Sequence, residues 1–438
     1  MTAAVPESQT SHYPALVIGG GQAGLSASHY LTRREIPHLV FEKHGLAHEW
    51  RNRRWDSFCL VTPNWQCQLP DYPYRGPDPK GFMLKDEIVR YVEGFAASFK
   101  PPLREGVTVT RLARRGHGPY VLDTSAGRFT ADQVIVAVGG YHRPIVPRMA
   151  ERLPPGLMQL HAPDYRNPDA LPPGAVLVVG TGQSGCQIAE DLHLAGRRVH
   201  LCVGGAPRAP RQYRGKDAVE WLDAMGYYDI TLDEHPKRDT VRHKANHYLT
   251  GRDGGREIDL RRFAAEGMRL HGRLTDIEAS TGGLHLHFGD DLRRNLDHAD
   301  AVAESIKATI DQYIEREGIN APLDPPYHPC WQPEANDPPL DLKAADIGSV
   351  IWCIGYRADF SWIDVPVFDG LGYPAHTRGI TPAPGLYFLG LPWLYTWGSG
   401  RFSGVARDAA HVVAHLDAHR QTRGLAAARP LNELALGA

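Results

Sequence analysis

One pattern of apolar and polar positions occurs twice along the chain. In the first copy an apolar run at 15–18 meets glycines at 19, 21 and 24, and a helical apolar period then continues to about Arg34. Pro37 breaks that period, and an apolar run at 38–41 follows. The second copy has AVLVV at 175–179, glycines at 180, 182 and 185, a helical period to about Ala195 with Gly196 as its stop, and an apolar run at 199–203. Each copy predicts strand, glycine turn, helix, strand.

Residues 81–99 have helical spacing between the copies, while 108–115 and 120–140 alternate as strands of a small sheet returning to a buried one. The stretch 206–260 is aromatic and charged with no dominant period. Residues 291–318 are clearly helical, and 323–339 form a Pro-rich loop. A strand at 349–356 and a closing strand, glycine turn and long helix are expected to fold back onto the first domain. Pro172-Pro173-Gly174 is a linker. The class is therefore α/β with two Rossmann-like dinucleotide-binding domains: 1–165 with 345–438, then 166–288, with 289–344 as a helical and Pro-rich insert. Two roles stay open for the insert: closing the active site, or forming the interface of a homodimer.

At 438 residues the chain is long enough for two to four domains, and 42% apolar residues permit a large core. Lys+Arg 48 against Asp+Glu 50, without long runs of one sign, argues against nucleic acid as a partner. No apolar run reaches the roughly 18–20 residues of a membrane span. Residues 1–14 have neither the basic nor the apolar part of a signal peptide and are expected to be a disordered lead, so a cytoplasmic location is expected. Six scattered cysteines include no CxxC, which predicts structural thiols and no metal knuckle. His243, His247, His285 and His287 suggest no third metal ligand.

Gly19 permits the tight turn, Gly21 lets the backbone approach a pyrophosphate, and Gly24 lets the helix pack closely on the strand. Gln22 and Ala23 lie inside this turn. Glu42, with Lys43 beside it, ends the second strand, where a carboxylate can accept the hydroxyls of an adenosine ribose. Gly180, Gly182, Gln183, Ser184 and Gly185 repeat the logic, but no acidic residue follows between 199 and 210. Arg208 and Arg211, with Arg214, are the candidates for a 2′-phosphate, which favours NADPH over NADH; a solvated basic loop is the alternative. Gly398, Ser399 and Gly400 precede a helix expected to begin near Phe402, whose amides can stabilise charge on a reduced flavin. Two such folds in one chain suggest hydride flow from nicotinamide to flavin.

The sequence resembles the class B flavin-dependent monooxygenases, of flavin-containing monooxygenase and YUCCA type, over nearly the whole chain except 289–344. The resemblance rests on the glycine motifs at 19–24 and 180–185, VAVGGYHRPIVP at 136–147, HAPDY at 161–165, WCIGY at 352–356 and the glycine turn before the last helix. It departs from the fingerprint FxGxxxHxxxY, since four residues separate Gly156 from His161 and no Phe precedes. The resemblance implies a glutathione-reductase-like arrangement, bound FAD and NADPH, and oxygenation of a small organic substrate by O2 through a C4a-(hydro)peroxyflavin. An NADPH oxidase or electron-transfer reductase is the alternative. It also implies Trp50 and Arg51 beside the isoalloxazine, Gly139 in the cofactor site, Val109 giving adenine a backbone contact, and Asn64 or Thr62 near the oxygen-reacting carbon. For Asn64 a turn residue is an equal reading.

Overall fold

A computed structural model describes residues 11–243, 245–280, 283–334 and 337–424; residues 1–10, the start of the expected lead, lie outside the described residues. Ser11–Ile18 (β1) begins ahead of the apolar run, because Ser11, His12 and Tyr13 pair with Phe129, Thr130 and Ala131. Gln22–Arg33 (α1) and the fully buried His38–Phe41 (β2) follow. In Lys85–Phe99 (α2) the first-turn Glu87 side chain reaches back to accept the Leu84 N–H at 2.8 Å. Leu103–Arg104 (β3), Val109–Arg114 (β4), Tyr120–Thr124 (β5) and Gly127–Val136 (β6) complete this first pass.

The chain continues through Met158–His161 (β7), Ala175–Val179 (β8), Gln183–Leu194 (α3), Val199–Cys202 (β9), Ala218–Ala224 (α4) and Arg269–His271 (β10). Leu292–Arg316 (α5), Ile347–Trp352 (β11), Ile363–Asp364 (β12), Leu386–Phe388 (β13) and Val405–Thr422 (α6) follow.

The first sheet runs β12-β4-β5-β6-β1-β2-β3, with β13 also paired to β6. β1, β2 and β6 are parallel neighbours, whereas β4, β5 and β6 form an antiparallel meander. The second sheet, β7-β11-β8-β9-β10, is parallel throughout. All five residues of β8 are buried, as a strand covered on both faces requires.

Two boundaries differ from expectation. β7 and β11 both belong to the second sheet, so the chain crosses to the second domain before residue 165 and returns after 352. The reason is lateral: β8 needs a parallel partner on each edge, and the buried run of β11 supplies one. Only the closing part, β12, β13 and α6, returns to the first domain, where Val405, Val412 and Leu416 pack in one core with Leu25 and Leu31 of α1. The insert is not a separate body either. Leu292, Leu296 and Ala299 of α5 join the second core, and Ile310 and Ile314 pack with Ala218 and Trp221 of α4.

Candidate functional site

Both glycine turns are built by the same contacts. Gly19 and Gly180 each have φ +105°, and Cβ atoms there would stand 2.6 Å from the Ala137 carbonyl and 2.8 Å from the Cys353 carbonyl. A Cβ on Gly24 would lie 1.8 Å from the Gly19 oxygen, and one on Gly185 would lie 1.9 Å from the Gly180 oxygen. Gly21 caps α1 without a side-chain hydrogen bond, and a Cβ there would meet no protein atom within 4 Å. The first amides of α1 thus face open space, which fits a pyrophosphate. Gly182 caps α3 the same way, with the Cys353 oxygen 4.0 Å away. Glu42 accepts the Gly20 N–H at 2.7 Å and the His44 N–H at 2.9 Å, which fixes its carboxylate beside the first turn. Lys43 is exposed and Ala23 is buried under Gly390. Gly139, with φ +72°, lies in the loop after β6, and a Cβ there would meet no atom within 4 Å.

At the second turn, Gln183 donates to the Leu249 carbonyl at 2.5 Å and accepts its N–H at 3.2 Å, while Ser184 is half-buried in the first turn of α3. The arginines expected to hold a 2′-phosphate are placed otherwise. Arg208 is 3% exposed and pairs with Glu257 at 3.2 Å and Asp300 at 2.9 Å, under the ring of Tyr327. Arg211 is 1% exposed, pairs with Asp217 at 2.6 Å and donates to the Val61 carbonyl at 2.7 Å. Arg214 pairs with Asp311 at 3.2 Å. These guanidinium groups are neutralised by carboxylates and fasten the 206–217 loop to its surroundings, so the phosphate assignment is corrected.

The end of the first domain expected to hold a flavin is assembled from three segments. Gln22 donates to the Gly400 carbonyl at 3.0 Å, joining the first cradle to the glycine turn. In that turn Ser399, buried, accepts the N–H groups of Tyr395 and Thr396 at 3.0 and 3.1 Å. Gly398 lies against Gly404, where a Cβ would come 3.1 Å from its Cα, and α6 starts at Val405 rather than near Phe402. Asp408 in its first turn is buried, and burial pushes its carboxyl up to about 6.

Trp50 stacks on Phe402 with ring centroids 5.5 Å apart. Arg51 turns outward to Glu93 of α2, and Arg54 instead lies 5.1 Å over the Trp50 ring. Asn64 is held at both ends of its side chain, donating to the Asp78 carbonyl at 2.9 Å and accepting the Met83 N–H at 2.7 Å. That geometry is a loop clamp, and it favours the turn reading. Thr62 beside it is half-buried. Val109, expected to give adenine a backbone contact, opens β4.

The stretch that has no period in the sequence is a strap across this turn. The Leu232 N–H donates to the Tyr395 carbonyl at 2.7 Å, Thr231 bridges to Thr396, and Tyr228 packs on Trp397 at 4.7 Å. Arg242 donates to the Trp393 carbonyl at 3.3 Å, and Arg407 pairs with Asp229 at 3.1 Å. Trp393 under the strap is buried and Tyr395 and Trp397 are half-buried; Trp65 is half-buried in its own loop.

The domain junction is knotted at Asp191 on α3. It accepts Tyr165 at 2.6 Å, Ser57 at 2.5 Å and Arg252 at 2.5 Å, so both domains and their linker meet on one buried carboxylate. Burial pushes the neighbouring Glu190 up to about 7. His161 is buried, its ring edge-on to Tyr356 at 4.9 Å, and burial lowers its pKa. Sequence reading missed Arg54, Arg401, Asp191 and the strap. The adjacent acids at 190–191, inside an otherwise apolar helix face, were the available signal. Among the described residues no group of three or more His, Cys, Asp or Glu could hold a metal. The described cysteines are free thiols, and burial raises Cys59 to about 11 and Cys353 to about 12. No helix among the described residues is long and apolar enough to cross a membrane.

Two dinucleotide cradles, one joined to a glycine turn at a helix start and the other across a fixed junction, define a flavoprotein oxidoreductase that also binds a pyridine nucleotide. The chain belongs to the pyridine nucleotide-disulphide oxidoreductase family, whose model matches residues 16–267. It is 31% identical over 401 residues to a CzcO-like oxidoreductase of Geobacillus kaustophilus, covering 91% of this chain and 96% of that one. It is 28% identical over 237 residues to YUCCA3 of Arabidopsis thaliana, a probable indole-3-pyruvate monooxygenase, covering 50% and 52% of the two chains. A solved flavin monooxygenase from Stenotrophomonas maltophilia, in a doubly substituted form, superposes with TM-score 0.62 at 17% identity over 94% of this chain and 99% of that one. The chain is a flavin-dependent oxidoreductase, with FAD and a pyridine nucleotide as its cofactors.

Proposed function

We propose that this chain is an NADPH-dependent FAD monooxygenase that inserts one atom of O2 into a small organic substrate. The balance is NADPH, a proton, O2 and substrate giving NADP⁺, water and the oxygenated product. Bound FAD supplies hydride acceptance and activation of oxygen. The chain supplies the rest. The amides at Gly21 and Gly182 take the two pyrophosphates, Glu42 takes the adenosine ribose of FAD, and Asp191 sets the angle at which the two cradles meet.

The observation that carries the oxygenase reading is the roof. The strap at 228–242 lies against Trp393, Tyr395 and Trp397 next to the turn at 398–400, burying Trp393 and partly covering the other two. Water exclusion of that kind is what oxygen transfer requires and what release of hydrogen peroxide does not. NADPH as the donor rests on the likeness to the class B enzymes.

The test uses FAD-loaded enzyme reduced anaerobically with NADPH and then mixed rapidly with O2. The expected result is a transient that absorbs to the blue of oxidised flavin and persists before the oxidised spectrum returns. Immediate stoichiometric hydrogen peroxide with no transient would favour the oxidase.

A further inference from the structure

The two cradles match residue by residue, and they part at the place of the adenosine ribose. Ile18 pairs with Phe41 and Val179 with Cys202. The Gly19 N–H donates to the Phe41 carbonyl at 2.8 Å, and the Gly180 N–H donates to the Cys202 carbonyl at 3.1 Å. The next residue is Glu42 in the first cradle and Val203 in the second, and their N–H groups donate to the Arg104 and His271 carbonyls, each at 2.9 Å. Val203 is 2% exposed and belongs to the second core. Beside the first turn stands the Glu42 carboxylate, whereas beside the second the Thr181 hydroxyl accepts the Gly204 N–H at 2.9 Å. The carboxylate that takes a free ribose hydroxyl, and repels a 2′-phosphate, is thus replaced by a neutral pair.

The insert closes on this same strand end. Asn295, near the start of α5, donates to the Val203 carbonyl at 3.0 Å. Asp291, just ahead of α5, accepts the Arg273 N–H at 2.9 Å, and Arg273 lies two residues beyond His271. A single oxygen of Asp291, Oδ2, takes Arg273 Nε at 2.5 Å and an Arg294 nitrogen at 3.6 Å. Two guanidinium groups therefore meet on one carboxylate oxygen at the end of β9, with their side chains 66% and 71% exposed. Arg273 reaches Asp291 through Nε, and its terminal nitrogens stay open to a ligand. Of the other acids at this corner, Asp337 accepts from His271 Nδ1 and the Gly272 N–H, both at 2.9 Å, and Asp290 is exposed. Arg208, Arg211 and Arg214 are committed to carboxylates elsewhere.

We propose that Arg273 and Arg294 bind the 2′-phosphate of the pyridine nucleotide, so that the insert, through Asp291 and Arg294, completes the second cradle and sets the preference for NADPH. Planar guanidinium forks match a phosphate, and Asp291 holds the two forks side by side. The inference rests on NADPH being the donor in the proposed reaction. It gives the insert a role in nucleotide choice.

The test is a calorimetric titration of FAD-loaded enzyme with 2′,5′-ADP and, separately, with 5′-AMP. The wild type is expected to bind 2′,5′-ADP at least about tenfold more tightly than 5′-AMP. Arg273→Gln and Arg294→Gln should each cut that ratio by about tenfold while 5′-AMP stays within about twofold, and Arg294→Lys should restore part of it. Tm should hardly move in these variants, because exposed ion pairs contribute little to stability. Equal binding of the two nucleotides by the wild type, tighter binding of 5′-AMP, or binding of neither overturns the proposal without any variant. A ratio that survives both Gln substitutions overturns it as well. Calorimetry needs neither flavin reduction nor O2, so failure here is distinct from failure of the oxygen-transient experiment.

Discussion

Gly21 and Gly24 sit three residues apart in one turn, yet a methyl group means something different at each. At 24 it would lie 1.8 Å from the Gly19 oxygen, so backbone must move; at 21 it would meet no protein atom within 4 Å. Gly24→Ala is therefore expected to lower both Tm and FAD content, whereas Gly21→Ala should keep Tm and lose FAD affinity by about tenfold or more. Equal Tm loss in the two variants, read by thermal unfolding beside FAD absorbance, would contradict the cradle. Glu190 gives a second test at this scale. Its carboxyl is raised by burial to about 7, so the folded state holds a proton that the unfolded chain releases near the ordinary glutamate value. Stability should then fall as pH rises from about 4.5 to about 7, by on the order of 2 kcal/mol. Glu190→Gln should abolish that part of the slope, as measured by urea unfolding across this range; an unchanged slope would refute it. Gly19, Gly21, Gly24 and Glu42 were legible because their requirements are steric and local. Arg54 was not, since nothing within a few residues shows that it lies on Trp50 while Arg51 turns away.

Elements explain the arginine error. Arg208 and Arg211 follow a Rossmann strand, where cations often meet a phosphate, but Arg208 is taken by Glu257 and Asp300 from segments far along the chain and Arg211 by the nearby Asp217. The insert supplies Asp300 and Asp297 on α5, which also hold Arg261 at 2.7 and 2.5 Å. What reads as a solvated basic loop or a nucleotide clamp is thus the bolt between the second domain and its insert. Arg208→Ala removes the guanidinium that ties Glu257 to Asp300, which keeps its pair with Arg261, and should cost about 1–3 kcal/mol of stability, with the ratio of NADPH to NADH utilisation unchanged. Denaturation and steady-state kinetics with both nucleotides decide it: a selective loss with NADPH and intact stability would restore the phosphate role. The strap at 228–242 was invisible to periodicity because its contacts are single bridges and ring pairs to residues 393–397, with no repeating pattern for a sequence to display.

For the whole molecule, the α/β class and the doubled cradle could be read from the chain, since each depends on an apolar run followed by spaced glycines. The placement of β7 and β11 in the second sheet could not, because a buried apolar strand carries no mark of which sheet will take it. The roof and the Asp191 junction are likewise products of packing between distant segments. The proposed function requires two electrons to pass from the second cradle to the first. Anaerobic addition of NADPH to the purified, FAD-loaded protein tests this most directly. Complete bleaching of the yellow flavin band by one equivalent of NADPH is the predicted result, and a protein that stays yellow under excess NADPH while dithionite bleaches it would contradict the account.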